Sequence, residues 1–284
     1  MIKTKTLNLA DILRFKKDVL WGKYYFAQFE DNKLIDSIIF FHPYTNKNII
    51  EIYNIEKRDQ NFLNEFTREY SRKKKIKYFT RELDEATQVT DIEFMNSCGF
   101  IRYNRNYCFE YKSTNLNSRD NHQPMIYCRP AEYEDIDQIL EVDTNAQIIE
   151  YRDYLVKEKR YLKNNIENIY VFTNPNDLAV IQAYAYKKYP DQSAIFELVL
   201  HPRHNDILLP CISAFGEKYI LFEKNAEEFS FIITENQKEK IEELRNNFNL
   251  LWSTQLMLIE GAPRAKTKKL ISEFAIRKTT AGAS

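Results

Sequence analysis

The segment from Ala194 to Phe222, AIFELVLHPRHNDILLPCISAFGEKYILF, limits the possible folds more than any other part of the chain. Ile195, Phe196, Leu198, Val199 and Leu200 make an apolar run too continuous for a strand with one face in water, so it predicts a strand central in its sheet. Glu197 is the one carboxylate inside that run. Pro202 ends the pairing, because proline has no N–H to give and fixes its own φ. Beyond it, Leu208, Ile212, Phe215 and Tyr219 recur at helical spacing and predict a helix whose apolar stripe docks back on the sheet. The strand, the sharp turn through Arg203, His204, Asn205, Asp206, Ile207 and Leu208, and the helix start form a potential anion site. The first turn of a helix carries unpaired N–H groups and the positive end of the helix dipole.

At 284 residues the chain is long enough for two domains, each able to bury a core. Lys and Arg together number 41, as do Asp and Glu, so no net field recruits nucleic acid or an anionic membrane. No apolar run approaches the roughly 20 residues that span a bilayer. The opening MIKTKTLNLADIL lacks the apolar centre of a signal peptide, which makes a cytoplasmic location the expectation. Cys98, Cys108, Cys128 and Cys211 form no CxxC pair and have no His partner at ligand spacing, so they read as reduced, buried thiols and no metal is expected. The five glycines stand too far apart for a GxGxxG turn or a GxxxxGK[ST] loop, which excludes nucleotide folds of those kinds.

In chain order, Ile2 to Leu7 reads as a strand and Leu9 to Leu20 as a helix. Lys23 to Phe29 and Leu34 to Phe41 read as a hairpin turning through Glu30, Asp31, Asn32 and Lys33, followed by a turn at Pro43 to Asn48 and a strand at Ile49 to Ile55. Asp59 can cap a helix carrying Phe62, Leu63, Phe66 and Tyr70, which ends in the basic run Arg72 to Lys75. Cations there complement the helix dipole, a better account of the run than nucleic-acid binding. Ile76 to Thr80 returns as a strand. Thr90, Asp91, Ile92 and Glu93 read as a capping box opening a helix that stops at Gly99, and Ile101 to Tyr111 closes the half. Ser113 to Pro124 has one apolar residue and no period, so it reads as a linker.

After the linker the pattern restarts. Lys5 to Ile12 parallels Arg129 to Ile136, and Ile50, Glu51, Ile52 and Tyr53 parallel Phe196, Glu197, Leu198 and Val199. Asp135 to Glu141 and Gln147 to Glu158 read as helices; Asn168 to Thr173 and Leu178 to Lys188 as strands about a turn at Asn174 to Asp177; Phe229 to Thr234 and Leu250 to Ile259 as the last strands. Asn247 and Phe248 match Gly99 and Phe100, with asparagine in the left-handed position. The fold class is therefore α/β, in the α+β sense, with two similar halves, each a mixed twisted sheet flanked by helices. Residues 1–112 form the first domain, 113–124 the linker, 125–262 the second domain, and 263–284 a basic tail.

The strand at 195–200, the His201–Pro202 step and the helix after it resemble the acyl-CoA-binding core of the GCN5-related N-acetyltransferases. Arg129-Pro130-Ala131-Glu132-Tyr133-Glu134-Asp135-Ile136 resembles that family's first strand and helix. The resemblance implies a tandem protein that moves an acyl group from acetyl-CoA, or another acyl-CoA, to an amine on a small molecule or peptide; the balanced charge and the lack of a long apolar run are what disfavour nucleic acid and speak against a membrane partner. It implies that Glu197 is the base for the ammonium, with Glu51 its counterpart, and that the N–H groups of Leu198 and Leu200 meet the pantetheine arm and the carbonyl. It also implies that the turn from Arg203 to Leu208 meets the diphosphate.

The departures from the family pattern matter equally. The turn keeps Arg203 but lacks the two small residues that let amides close on a diphosphate. Asp206 puts a negative charge nearby and can itself be the helix cap. The tyrosine often used as general acid is replaced by Met95 in one half and Leu244 in the other, leaving Tyr219 and Tyr186 as geometric substitutes. Desolvation in an apolar strand would raise the Glu197 carboxyl toward neutrality, as suits a base, but the same residue can equally be ion-paired or turned out at a sheet edge. A fold that has lost its cofactor and serves in binding or as a scaffold is the alternative function. A metal at His201 and His204, and RNA on tyrosines beside Lys73 to Lys77, are lesser readings.

Overall fold

The computed structural model describes residues 2–7, 9–13, 23–43, 47–112, 114, 125–146, 156–188, 194–222, 228–235 and 238–261. The chain divides into two compact units. One holds Met1–Leu83, Gln88–Tyr103 and Leu256–Ser284; the other holds Asp84–Thr87 and Asn104–Gln255.

The first unit runs β1 (Ile2–Leu7), α1 (Leu9–Ile12), β2 (Tyr24–Glu30), β3 (Lys33–Phe41), β4 (Ile49–Ile55), α2 (Gln60–Lys73), β5 (Tyr78–Asp84) and α3 (Val89–Ser97). Its strands lie in the order β1-β2-β3-β4-β5. Pairing is antiparallel from β1 to β4 and parallel between β4 and β5. Asp31 and Asn32 turn the β2–β3 hairpin with φ of 47° and 65°, the left-handed geometry that matches strand twist in a two-residue loop. Asp59 caps α2 by accepting from the N–H groups of Asn61 and Phe62. The buried stripe of Phe62, Leu63, Phe66 and Tyr70 packs on Phe26, Phe40 and Phe79. The ring centroids of Phe26 and Phe62 are 5.3 Å apart and those of Phe40 and Tyr70 5.0 Å, in the favourable range for aromatic pairs. Gly99 leaves α3 at φ 86°, a conformation a side chain would resist.

The second unit takes β6 (Ile101–Lys112) from Asn104 onward, then β7 (Tyr127–Pro130), α4 (Ile136–Ala146), α5 (Lys159–Asn164), β8 (Ile169–Asn174), β9 (Asp177–Lys187), β10 (Ile195–Leu200), α6 (Leu208–Phe222), β11 (Glu228–Thr234), α7 (Lys238–Asn247) and β12 (Asn249–Glu260) as far as Gln255. Its strand order is β6-β11-β10-β9-β8-β7. Only β10–β11 is parallel among these neighbours. The alternation of β10 splits its side chains between two layers. Phe196, Leu198 and Leu200 join Cys211, Ile212, Phe215 and Tyr219 of α6, while Val199 joins Tyr184, Tyr186 and the α4 residues Ile136, Ile139 and Val142. Phe196 lies 4.7 Å from Phe215 and 5.1 Å from Tyr219 between ring centroids. Each such buried side chain contributes about 1.5–3 kcal/mol.

Several local expectations are corrected. The strand expected at Ile76 to Thr80 is β5, which runs on to Asp84 because Arg81 is drawn inside, 2% exposed, by its bond to Asp91. The capping box at Thr90 does not form. The helix begins after Gln88, and Thr90 and Asp91 instead accept bonds from Arg58. Val156 to Glu158 are not helical; α5 starts at Lys159 with Glu158 at its cap. Asn247 stays in its helix and bonds the Glu243 carbonyl, so it is no counterpart of left-handed Gly99. The strand read as closing the first half continues into the second unit, pairing Asn106–Lys112 with β11, while Met257 and Ile259 of the last strand pack in the first unit's core. The linker other than Thr114, most of the helices expected at 9–20 and 147–158, and the tail from 262 lie outside the described residues.

Gly216 on α6 sits so close to Tyr111 of β6 that a Cβ would lie 2.4 Å from the ring Cζ. Gly216→Ala is therefore expected to lower the denaturant midpoint, at a cost of about 1–3 kcal/mol for overpacking. An unchanged midpoint would mean that α6 does not rest on that ring.

Candidate functional site

The strands β10 and β11 pair only at Ile195 with Ser230, Phe196 with Phe231 and Glu197 with Ile232; the register ends there although β10 continues to Leu200. Which amides this exposes follows from the alternation of the strand. The His201 N–H bonds the Gln182 carbonyl on β9, and the Ala194 carbonyl accepts from Ser230 on β11. Odd-numbered peptide groups thus face β9 and even-numbered ones face β11. In a parallel ladder the Glu197–Ile232 pair is closed by the Ile232 N–H on the Phe196 carbonyl and the Leu198 N–H on the Ile232 carbonyl, so Leu198 is taken and the Leu200 N–H is the one that points to the side where β11 no longer pairs. Glu197 stands at the branch.

Glu197 lies directly across from Tyr186 in the β9–β10 register, and the Tyr186 hydroxyl donates to Glu197 Oε2. Above the Tyr186 ring, at 4.2 Å from its centroid, lies Lys157 Nζ. That ammonium is 2% exposed and belongs to a closed buried network. It donates to Asp143 Oδ1 at 3.1 Å and to the Tyr184 hydroxyl at 2.9 Å, while its own backbone N–H donates to Asp143 Oδ2 at 2.7 Å. The Tyr184 hydroxyl donates to Asp143 Oδ1 at 2.6 Å. A buried pair so fully bonded fixes its members, because removing either partner strands a charge, a loss of about 3–5 kcal/mol. Tyr161 is close enough to feel both charges. Burial raises its phenol, Lys157 pulls it back and Glu197 pushes it further up.

The turn after β10 is arranged differently from its sequence reading. Asp206 is exposed and is not the cap; His201 is, with φ −64° and ψ 131°, its Nδ1 accepting from the Arg203 N–H at 3.2 Å. The His204 N–H bonds the His201 carbonyl at 2.8 Å. Two amides of the turn are therefore occupied, and Ile207 and Leu208 spend their side chains in the core. Arg203 is exposed, His204 and Asn205 half-buried, and the His201 and His204 rings lie 5.7 Å apart. Among the described residues, no three His, Cys, Asp or Glu side chains form a group that could hold a metal, and no helix is long and apolar enough to cross a membrane.

The first unit repeats the branch. The strands β4 and β5 pair from Ile49 with Tyr78 to Glu51 with Thr80 and stop, so Glu51 stands where Glu197 does. The helix starts differ in charge, because α2 is capped by the Asp59 carboxylate and the turn before α6 by an imidazole. A carboxylate on those amides opposes an anion; an imidazole does not.

Sequence reasoning singled out Glu197 and Tyr186 separately, and the cross-strand register joins them. It missed Lys157, Asp143 and Tyr184. The period-two spacing of Tyr184 and Tyr186 was a usable signal for two phenols on one face; nothing local pairs Asp143 with a lysine 14 residues on.

No protein-family model matches the sequence, and no curated protein matches it. Solved structures do. A tandem GNAT protein from the clavulanic acid biosynthesis pathway, solved without AcCoA, matches at 11% identity and a TM-score of 0.51, over 89% of this chain and 87% of that one. A GCN5-related N-acetyltransferase from Sphaerobacter thermophilus matches at 10% identity and 0.51, over 89% and 86%. A protein from Enterococcus faecalis described as a probable N-acyltransferase matches at 10% and 0.51, over 92% and 72%. At these identities the likeness is one of fold: the chain has the fold of the GCN5-related N-acetyltransferases, in its tandem form.

Burial first, then the charges of His204 and Arg203, hold the His201 imidazole below its ordinary value of 6.5. The Nδ1 lone pair makes the cap, so protonation destroys it. With the folded value below the unfolded one, this stabilisation is complete above the unfolded value and is lost as pH falls through the folded one. The unfolding midpoint is expected to fall between about pH 7 and about pH 5. Part of that fall should vanish in His201→Asn, which keeps a cap acceptor that does not titrate. Equal slopes in the two proteins would take His201 out of the cap.

Proposed function

We propose that the second unit transfers an acyl group from acyl-CoA to a primary amine. The observation that carries this reading is the branch between β10 and β11, with the directed amide of Leu200 beyond it and a carboxylate at its apex. A thioester arm laid along β10 would take the place of β11, accepting a bond from the N–H of Leu200, while that of Leu198 stays with Ile232. The tandem neighbour is described as a GNAT protein, and the fold it shares with this chain supports the same class of co-substrate here.

In the proposed reaction Glu197 takes a proton from the acceptor ammonium, and the freed nitrogen lone pair attacks the thioester carbonyl carbon. The carbonyl oxygen gathers negative charge against the Leu200 N–H beyond the branch; the C–S bond then breaks, and the thiolate leaves with a proton. Tyr186, bonded to Glu197, holds the carboxylate to one geometry, and Lys157 holds the ring of Tyr186. The diphosphate would meet the exposed guanidinium of Arg203 beside Asn205, with the free amides of a glycine turn playing no part. The first unit, with Asp59 on its helix start, supports the second without binding the co-substrate.

Acetyl-CoA titrated into the full chain is expected to raise the melting temperature, by an amount worth about 2.7 kcal/mol once it stands a hundredfold above its dissociation constant. Lack of stabilisation at about millimolar acetyl-CoA would overturn the reading and leave a fold kept for binding alone. With an amine panel and thiol release as readout, Glu197→Gln should cut turnover about a hundredfold or more at unchanged acetyl-CoA affinity. Tyr186→Phe should do so less steeply. Full activity of Glu197→Gln would remove it from the mechanism.

A further inference from the structure

The pairing of a strand glutamate with an aromatic residue under a lysine occurs twice. In the second unit it is Glu197, Tyr186 and Lys157; in the first it is Glu51, Phe41 across from it on β3, and Lys23. The two lysines are held in different ways. Lys157 is tied by a carboxylate and a phenol hydroxyl. Lys23 Nζ lies 3.3 Å from the Phe41 centroid and 4.9 Å from that of Tyr53, within reach of the charge of Glu51. The register of β3 and β4 shifts at this point, pairing Phe40 with Ile52 and Ile39 with Asn54, so Tyr53 is bulged out between them and remains 53% exposed.

Two ring faces beside a carboxylate are the recognition chemistry of a cation. We infer that Phe41, Tyr53 and Glu51 form a binding site for a quaternary alkylammonium ion, with Lys23 as its resident occupant. A primary ammonium is a poor tenant of two rings, since its three N–H donors give up water and rings return little to each. Burial accordingly lowers the affinity of Lys23 for its proton, against the pull of Glu51. A trimethylammonium head has no N–H to desolvate and presents more surface to both rings. The site is separate from the branch in the second unit and makes no use of acyl-CoA.

The test is calorimetry with choline on the full chain carrying Lys23→Met, which fills the stem's space and removes the charge. Choline is expected to saturate this variant and to bind it roughly tenfold more tightly than the unsubstituted chain, whose lysine competes. Its neutral carbon isostere, dimethylbutanol, should lose most of that affinity, and Tyr53→Ala added to Lys23→Met should abolish it. Failure of choline to saturate the variant, or equal binding of the isostere, would overturn the proposal. A second measurement needs no variant. Choline must displace Lys23, so acetic anhydride labelling of Lys23, read by peptide mass spectrometry, should rise with choline; constant labelling would overturn the proposal equally. Acetyl-CoA stabilisation of the same protein is scored separately and bears only on the acyl-transfer reading.

Discussion

A strand buried on both faces has to find hydrogen-bond partners along both edges, and β10 stops finding them on the β11 side after the Leu198 N–H, which closes the Glu197–Ile232 pair. Phe196, Leu198 and Leu200 on one face and Val199 on the other hold it in place regardless, because the side-chain packing on α6 and α4 does not depend on the missing ladder. The strand therefore presents an ordered amide, that of Leu200, where its neighbour has parted from it. An extended ligand can take the vacated edge at little cost in ordering the protein.

The same branch in the first unit shows that architecture alone does not set its chemistry. Both units end their parallel register on a glutamate, yet one helix start is closed by a carboxylate and the other by an imidazole. The difference between Asp59 and His201 decides which helix start tolerates an anion, since the capping group sits on the amides an anion would use. The cross-strand partners diverge as well. Tyr186 can bond Glu197 through its hydroxyl, whereas Phe41 offers Glu51 only a ring.

Buried charge is the other feature that sets the two units apart from simple apolar sandwiches. Asp143 and Lys157 close on each other and on Tyr184 beneath the sheet, and Arg81 does so with Asp91 in the first unit. Such pairs add little net stability over an apolar replacement, but they tolerate few alternative packings, because any rearrangement leaves a charge without its partner. In the second unit this rigidity reaches the Tyr186 ring through the ammonium above it.

Much of this was legible in the residues. The apolar run at 195–200, the stripe of α6, the Asp59 cap, the hairpin at Asp31 and Asn32, and the parallel between Glu51 and Glu197 all rest on period, propensity or a single side chain, which are local properties. What the sequence could not decide was anything set by contact between distant segments. That Glu197 meets Tyr186, that His201 rather than Asp206 caps the turn, and that Thr90 and Asp91 answer to Arg58 depends on strand register and on competition among donors. The closing strand of the first half pairs in the second unit for the same reason: its alternating pattern does not name a partner, and the pairing with β11 is fixed by the strands that meet it. The chain by itself determined which segments are strands and helices, since their pattern is written within each; tertiary structure alone decided which side chains share a site, since burial and register are properties of pairs.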